Sequence, residues 1–286
     1  MATPGTQQYT MREVGPAPEK LVDGAGDYIL GCFNTPIKQA NLLDAKSSIC
    51  CPRMLKDLQL REWQAFQIKT DTHFVMIAIY NAKKMSLVQF IVYNLELKFK
   101  LKYEKKVFSW ELTVPDSLHG SYASYQSADF SIRVDHDLTS NLLNIDVSIQ
   151  DFESMPPVQA SFKGVHDTGR YTPMVVCNPF SSEAVMYSHK CLMPAEGRLR
   201  LNTEDILFPL GHSQLIIDDH KGYYPYVTTY DWVTSLGLTT PAEGEGQNSQ
   251  GEGGGRRLVG FNLTNNQVRT TRATAVCVVY TLPPTV

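Results

Sequence analysis

Apolar and charged side chains alternate strictly along residues 95–103, and this pattern is the strongest constraint on how the chain can fold. One set of alternate positions is apolar (Leu95, Leu97, Phe99, Leu101, Tyr103), and the other is charged (Glu96, Lys98, Lys100, Lys102). Successive side chains of a β-strand point to opposite faces, so the pattern predicts a strand with one buried and one solvated face. The same alternation recurs over residues 108–112, 130–134 and 143–149, which predicts an antiparallel meander.

Further strand-sized runs extend this pattern over most of the chain. Residues 73–80 and 87–93 are apolar on nearly both faces, which predicts central strands covered on each side. A second series follows Pro156-Pro157, at residues 172–178, 185–193, 214–218, 223–232, 258–264 and 275–280. Residues 56–66 fit a short helix or an extended segment equally well. Many strands with almost no helical periodicity predict an all-β protein of two antiparallel β-barrel or sandwich modules; a single long sandwich is the alternative.

The turn-forming and low-complexity segments suggest how the 286 residues are divided. Residues 1–27 are rich in Pro and Gly without periodicity and predict a flexible N-terminal segment. The first β module is expected over 28–155 and the second over 156–286. Within the second, residues 241–257 are rich in Gly, Glu and Gln, which predicts a disordered loop between two strands.

Composition excludes several classes of function. The 26 basic and 29 acidic residues give a net charge of −3, which removes the electrostatic argument for binding nucleic acid or an anionic membrane. No apolar run approaches the ~18 residues of a membrane span, and the N-terminus lacks an apolar signal core. The six cysteines form no C-x-x-C pair, so we expect reduced thiols in a cytoplasmic protein. No cofactor motif is present, and we expect none to be bound; the oligomeric state stays open.

The densest group of chemically active residues lies between Gln214 and Trp232. A short apolar run is followed by Asp218, Asp219 and His220, and Asp231 comes later in the next predicted strand. A carboxyl beside aromatic surface loses solvation, which raises its pKa, and a histidine beside an acid can move protons near neutral pH. We therefore predict that these four residues are catalytic and that aromatic residues of the second strand line a pocket: Tyr223, Tyr224, Tyr226, Tyr230 and Trp232.

Two other interpretations of this segment stand beside the pocket. The Asp-His-Lys-Gly stretch is also typical of a solvated β-turn, and a row of tyrosines on a strand is often core with its hydroxyls at the rim. A metal site is a third interpretation, with His212, Asp218 and His220 as ligands. Their spacing matches no standard arrangement of metal ligands, so no metal is predicted.

The same residues carry a resemblance to a known family. The string DDHKGYYPY at 218–226, Asp231-Trp232 and VGFNLT at 259–264 resemble the uncharacterised DUF2804 family, as do residues 31–36, 41–44, 56–66 and 191–197. The likeness covers about residues 28–267. The sequence after Gln267 departs from the family pattern, which predicts an atypical or truncated C-terminus.

The family is more distantly similar to two-module lipocalin-like proteins, which include carotenoid 1,2-hydratases, AttH-like proteins and fungal Diels–Alderases. That resemblance implies paired barrel-like modules around an apolar ligand. It assigns no catalytic residue, because the motifs of those proteins cannot be matched to positions in this sequence.

Three functions remain open at this point. The leading one is binding of an apolar lipid- or isoprenoid-like small molecule in a cavity between the β modules, with hydration, isomerisation or cyclisation by acid–base chemistry if turnover occurs. The second is carbohydrate binding or glycoside processing, in which Trp63, Trp110 and Trp232 stack on sugar rings and two carboxyls face each other across a groove. The third is a non-catalytic component of a larger assembly, marked by a large exposed apolar patch.

Overall fold

The computed structural model describes residues 14–47, 52–181, 184–224, 229–238, 258–267, 274–276 and 279–281. Strands make up 60% of the structure and helices 6%, so the prediction of an all-β chain with little helix is confirmed. The single α-helix of the described residues is α1 (Arg53–Gln59), and short 3-10 helices occur at Leu42–Asp44 and Ser109–Glu111.

The described strands are numbered in chain order. They are β1 (Val14–Gly15), β2 (Gly31–Phe33), β3 (Arg61–Lys69), β4 (His73–Asn81), β5 (Ser86–Asn94), β6 (Phe99–Val107), β7 (Leu112–Thr113), β8 (Ser121–Gln126), β9 (Phe130–Asp137), β10 (Leu142–Ile149), β11 (Val158–Val165), β12 (Met174–Pro179), β13 (Val185–Leu201), β14 (Glu204–Gly222), β15 (Thr229–Leu238), β16 (Leu258–Gln267), β17 (Thr274–Val276) and β18 (Val279–Thr281).

Fourteen of these strands form one large sheet with the main order β6-β5-β4-β3-β14-β13-β11-β10-β9-β8-β7. Strands β12, β2 and β1 branch from β13, and every pairing in the sheet is antiparallel except that of β1 with β2. The sheet curls like a half-barrel until β4 lies against β8. The long strands β13 and β14 form its centre. The strands on the β14 side, β3 to β6, all precede Pro156, whereas on the β13 side β11 follows Pro156 and β7 to β10 precede it.

The inner face of the curl holds the main hydrophobic core. Alternate residues of each strand contribute to it, as the period-two pattern predicts; examples are Phe66 on β3, Ile77 on β4, Val134 on β9 and Ile145 on β10, all at most 1% exposed. Strands β9 and β10 therefore occur where the alternation predicted them.

A second sheet covers part of the outer face of the curl. It has the order β15-β16-β17, with β18 also pairing with β16. Gly260 on β16 comes so close to the large sheet that a Cβ there would lie 3.3 Å from side-chain atoms of both Leu192 and Ile216. The even-numbered residues of β15 face the large sheet, since Leu236 is buried while Val233 is exposed.

Two strands predicted from the sequence differ from the structure. β6 begins at Phe99 rather than at residue 95, because Asn94 turns the chain: its side-chain oxygen accepts hydrogen bonds from the backbone N–H groups of Glu96 and Leu97. Residues 108–112 do not form a continuous strand, because the 3-10 helix Ser109–Glu111 interrupts them. In these segments Leu97, Phe99, Phe108 and Trp110 are exposed, whereas Tyr103 and Leu112, at the ends of the two runs, are buried as predicted.

The region left open between helix and strand contains both. α1 ends at Gln59, and β3 begins two residues later, after Leu60. The two runs predicted to be covered on both faces are indeed interior strands of the sheet, β4 and β5. Their second faces, however, are half-buried rather than fully covered.

The division into modules near Pro156 stays a prediction. Of the N-terminal segment 1–27, residues 14–27 are described, and there Leu21 and Val22 are buried. The predicted loop at 241–257 lies outside the described residues, as do residues 268–273 and 282–286 of the segment after Gln267.

Candidate functional site

The segment that carries the predicted catalytic residues is a buried strand and not a turn. β14 continues to Gly222, with β13 on one side and β3 on the other. Asp218, Asp219, His220 and Lys221 are all at most 4% exposed. The solvated-turn interpretation is therefore wrong, because four charged or titratable side chains lie in the centre of the large sheet. Alternation along β14 sends Asp218 and His220 to the outer face and Asp219 and Lys221 to the inner face.

On the outer face, Asp218 forms a buried ion pair that connects the two sheets. Lys190 Nζ on β13 lies 2.9 Å from Asp218 Oδ2 and donates a second hydrogen bond, 2.8 Å long, to Asn262 Oδ1 on β16. Asn262 Nδ2 donates to Asp218 at 3.2 Å, and Trp232 Nε1 donates to Asn262 Oδ1 at 2.9 Å. Burial alone would raise the pKa of Asp218, but the charge of Lys190 and these hydrogen bonds bring it below its usual value. Asp218 is thus held as a carboxylate that fastens the second sheet.

His220 lies in an aromatic stack on the same outer face. Its ring is parallel to that of Trp63 on β3, with centroids 4.1 Å apart and 9° between the planes. Tyr224 Oη lies 2.6 Å from His220 Nδ1. Burial lowers the pKa of His220 to about 3, so the imidazole is neutral at physiological pH. The predicted proton transfer between His220 and an adjacent acid has no direct hydrogen bond here, since the partner of the ring is a phenol.

On the inner face, Asp219 belongs to a polar chain that crosses the curl. Gln64 Nε2 on β3 donates to Asp219 Oδ1 at 3.0 Å, and Gln64 Oε1 lies 2.8 Å from His136 Nε2 on β9. Burial raises the pKa of Asp219 to about 6, although the charge of Lys221 and the hydrogen bond from Gln64 act in the opposite direction. Asp219 is therefore a carboxyl group that can exist in its protonated form near neutral pH.

Two more buried histidines lie beside this chain. His189 is the register partner of Asp219 on β13, and its Nε2 lies 3.3 Å from Nε2 of His166. Burial lowers the pKa of His136 and of His166 to about 3 and that of His189 well below its usual value, so these imidazoles are neutral. Within the described residues, Nδ1 of His136 and Nδ1 of His189 are buried without a hydrogen-bond partner. We call Gln64, His136, His166, His189 and Asp219 the inner polar cluster.

Lys221, next to the inner polar cluster, has a structural role, because all its contacts connect β14 to neighbouring segments. Its Nζ lies 2.7 Å from Asp116 Oδ1, 3.3 Å from Glu62 Oε1 and 2.6 Å from the carbonyl oxygen of Pro115. These contacts tie β14 to β3 and to the segment before β8, which leaves no donor of this ammonium group for other chemistry.

The predicted aromatic wall is divided. Tyr224 and Trp232 both lie on the outer-face side, whereas Tyr223 packs into a separate hydrophobic cluster with Tyr187 and Val185. Tyr226 lies outside the described residues. Tyr230 and Asp231 belong to the backbone of β15, and their side chains lie outside the described part of the chain.

Several residues that complete these arrangements were missed by the sequence analysis. Lys190, Gln64 and Gln67 were not predicted as site residues, and Asn262 was considered as part of the family string at 259–264 rather than as a site residue. Thr234 Oγ1 donates to Gln67 Oε1 at 2.8 Å, which adds a further contact between the sheets. A buried polar residue inside an apolar strand was the available signal, as at Lys190 between Tyr187 and Leu192. Its partners lie 28 and 72 residues away, beyond any local pattern.

Metal and membrane features were also sought among the described residues. No three His, Cys, Asp or Glu side chains there are grouped so that they could hold a metal ion. No helix in this part of the chain combines the length and apolarity needed to cross a bilayer. Cys32, Cys177 and Cys191 are free thiols.

Comparison with known proteins gives a family and a distant structural likeness. The model of the family described as "Domain of unknown function (DUF2804)" matches residues 12–281. None of the curated proteins matches the chain. The crystal structure of kievitone hydratase from Nectria haematococca is similar with a TM-score of 0.45 and 12% identity, over 78% of this chain and 64% of that one.

The chain thus spans less than two thirds of the length of the hydratase. At this level of identity and superposition, nothing about activity follows from the likeness. The family match covers nearly the whole chain and agrees with the residues that carried the resemblance in the sequence. The chain therefore belongs to the DUF2804 family.

Proposed function

We propose that this protein binds a mostly apolar, lipid- or isoprenoid-like small molecule inside the curled sheet and that Asp219 donates a proton to it. One observation carries the proposal: Asp219 is 2% exposed, accepts its hydrogen bond from a neutral amide, and has a pKa raised to about 6. Such a carboxyl is a proton donor that works near neutral pH, as general acid catalysis requires.

The neighbours of Asp219 supply the complementary base. The neutral imidazoles of His136 and His189 each have an unpartnered Nδ1 among the described residues, which can accept a proton or a hydrogen bond. His189 faces Asp219 across the β13–β14 ladder, where paired Cα atoms lie about 4.5–5.5 Å apart. Acid and base therefore stand within the span of one small reacting group.

Asp219 and a neighbouring imidazole can supply and remove the protons needed to add water to a carbon–carbon double bond. Asp219 gives its proton to one carbon, a water molecule forms a C–O bond to the other, and an imidazole accepts the proton that the water loses. Return of that proton from the imidazolium to the Asp219 carboxylate restores both residues. Removal of a different proton, from carbon rather than from water, makes the same pair an isomerase.

The position of the inner polar cluster agrees with a site between two halves of the chain. Gln64 and His136 come from before Pro156, whereas His166, His189 and Asp219 come from after it. Most of the remaining inner face is apolar, for example Phe66 on β3, Ile77 on β4 and Val134 on β9. A ligand with a long apolar body and one reactive or polar end suits such an interior.

The carbohydrate alternative is less well supported by the acids named for it. Glycoside processing needs two carboxyls that face each other across one bond. Asp218 and Asp219 point to opposite faces of β14, and Asp218 is already committed to Lys190. These two carboxyls cannot flank the same glycosidic bond.

Native mass spectrometry of protein purified from its own cells tests the binding step. We expect a mass increment that organic extraction removes, and identification of the extracted compound gives the substrate class. Protein that carries no such compound and does not bind cis-parinaric acid, a fluorescent apolar probe, would contradict the proposal.

Incubation of the extracted compound with protein in D2O tests the catalytic step. Protonation at carbon introduces deuterium, which we expect with the wild type and with Asp146→Asn, an exposed carboxyl on β10, but not with Asp219→Asn. Deuterium incorporation by Asp219→Asn at the wild-type rate would exclude this residue as the acid.

A further inference from the structure

An exposed pair of aromatic rings lies at one end of the large sheet. Phe108 and Trp110 are 57% and 76% exposed, yet their rings are stacked with centroids 4.5 Å apart and 5° between the planes. Glu111 Oε2 accepts a hydrogen bond from the Phe108 N–H at 2.6 Å and fixes the 3-10 turn that presents them. The pair contributes nothing to the hydrophobic core, so folding does not explain it.

The rings belong to a larger apolar surface. Ser86 pairs with Val107 across β5 and β6, which places Met85, 57% exposed, next to Phe108. Ser109 Oγ donates to the carbonyl oxygen of Lys83 at 2.7 Å and joins the aromatic turn to the β4–β5 hairpin. We call Lys84, Met85, Lys106, Phe108 and Trp110 the aromatic corner.

α1 lies beside the aromatic corner and adds to it. Lys83 Nζ contacts Asp57 on the helix at 3.1 Å and Glu62 at 2.6 Å, which fixes the helix against the hairpin. Met54 and Leu58, one helical turn apart on α1, are both exposed. Apolar side chains thus extend from the hairpin tip towards the helix.

Positive charge surrounds this surface. Residues 83–112 contain seven lysines and three glutamates, although the whole chain has a net charge of −3. Lys84 and Lys106 are exposed, and neither forms an ion pair among the described residues, whereas Lys83 and Lys105 are paired with acids. Of the three glutamates, Glu111 already accepts a hydrogen bond from the Phe108 N–H. The net charge of the whole sequence therefore gives no sign of this local excess of positive charge.

We propose that the aromatic corner docks on an anionic lipid surface. Trp and Phe rings are favoured at the level of lipid headgroups, and lysines near an anionic bilayer contribute binding energy through charge attraction. The corner carries both elements next to each other. A second copy of this chain is a poorer occupant, since β6 is an edge strand whose lysines oppose pairing with another edge.

Sedimentation with vesicles tests the proposal on the full chain. We expect binding to vesicles of phosphatidylcholine with 30% phosphatidylserine, no binding to pure phosphatidylcholine, and release by high salt. Lys84→Glu/Lys106→Glu should weaken binding at least about 20-fold, given the contribution of each lysine near such a surface. Phe108→Ala/Trp110→Ala should weaken it at low salt as well.

A matched control carries the same charge change at the other end of β6. Lys98 lies in the turn just before this strand, and Lys100, on the strand, is about 20 Å from Lys106 at the usual rise per residue. Lys98→Glu/Lys100→Glu should leave binding within about twofold if the corner is the contact. Brominated lipids should quench Trp fluorescence in the wild type but not in Trp110→Phe. Thermal melting confirms that all these surface variants fold.

Three results would overturn the proposal. These are equal binding to neutral and anionic vesicles, an equal loss in the Lys98/Lys100 control, and absence of binding. A change of oligomeric state on gel filtration in Phe108→Ala/Trp110→Ala, without any effect on vesicle binding, would assign the corner to contacts between copies of the chain instead.

Discussion

Two adjacent carboxyls, Asp218 and Asp219, show how strongly the surroundings determine the role of a residue. Both are 2% exposed, but the pKa of the first is lowered by Lys190 and its hydrogen bonds against the effect of burial, whereas burial raises that of the second to about 6. The first is a permanent anion in an ion pair. The second is an acid whose ionised form is disfavoured in the folded state. Mutation should therefore have opposite effects on stability at the two positions.

Replacement of Asp219 by Asn should stabilise the protein at neutral and alkaline pH. A folded pKa of about 6 against an unfolded value of 3.8 means that the stability Asp219 contributes is fully present below pH 3.8 and is lost as pH rises through 6. Asn removes that loss of about 3 kcal/mol in the free energy of unfolding at pH 8. Urea unfolding at pH 5.5 and pH 8 measures it; the gain should shrink at the lower pH. A destabilised variant at pH 8 would contradict the raised pKa.

Replacement of Asp218 by Asn should destabilise the protein by about 3–5 kcal/mol, because the Lys190 ammonium is left buried without its counter-ion. Urea unfolding at pH 7.5 measures the loss. Asp218→Leu/Lys190→Met removes both charges and should recover most of it. If the double variant were as unstable as the single one, packing rather than the ion pair would be the cause.

At the scale of elements, the alternation of side chains predicts most of the sheet and fails for identifiable reasons. β9 and β10 were correctly predicted because every buried residue in the runs 130–134 and 143–149 is apolar. The first residues of the 95–103 run form a turn, since Asn94 caps two backbone N–H groups and period two does not register a local side-chain contact. The length of β14 was missed because a run of charged residues is typical of a solvated turn.

The candidate site could be predicted only in part. The sequence placed Asp218, Asp219 and His220 at the end of a short strand and predicted a catalytic role, which stays a prediction, but it did not predict their partners. Gln64 lies 155 residues from Asp219, and the curl of the sheet brings His136 within hydrogen-bonding distance of Gln64. Contacts across a curled sheet depend on its curvature and register, which a single sequence does not encode in any local pattern.

A β-bulge on β13 gives a test at the same scale. The register with β14 shifts between Ala195 and Gly197, and a Cβ at Gly197 would lie 2.5 Å from both Phe162 Cδ1 and the carbonyl oxygen of Ser161. We expect Gly197→Ala to lower the melting temperature by several degrees, since backbone cannot yield to relieve the contact. Gly237→Ala on β15, where a Cβ has no neighbour within 4 Å, is the control and should change it little.

At the scale of the whole molecule, buried neutral histidines make the fold sensitive to acid. The folded pKa values of His136, His166 and His220 are about 3 and that of His189 is well below normal, so the stability they contribute is present above pH 6.5 and is lost as pH falls below it. At pH 5 the three histidines with a pKa of about 3 together cost about 6 kcal/mol, similar to the whole stability of a marginally stable domain, and His189 acts in the same direction. Protonation of Asp219 offsets only about 1.4 kcal/mol of this at pH 5, because its full effect is reached only below pH 3.8.

We therefore expect cooperative unfolding at about pH 5. Circular dichroism and Trp fluorescence, recorded from pH 8 to pH 3, measure it. Since His136 Nε2 donates one hydrogen bond to Gln64 Oε1, the amide of His136→Gln can replace that donor, and the variant should move the midpoint to lower pH. A native spectrum that persists at pH 4 would show that these imidazoles are hydrated and not buried as described.

The pairing of opposite faces on β14 has a consequence for communication across the molecule. Asp218 holds β16 through Asn262, and the next residue in the chain presents its carboxyl to the interior of the curl. A single peptide unit thus connects the residue that holds the second sheet to the proposed proton donor. If the contact between Asp218 and Asn262 is lost, the backbone that positions the Asp219 carboxyl can rotate as well. We therefore expect the packing of the second sheet and the pKa of Asp219 to change together.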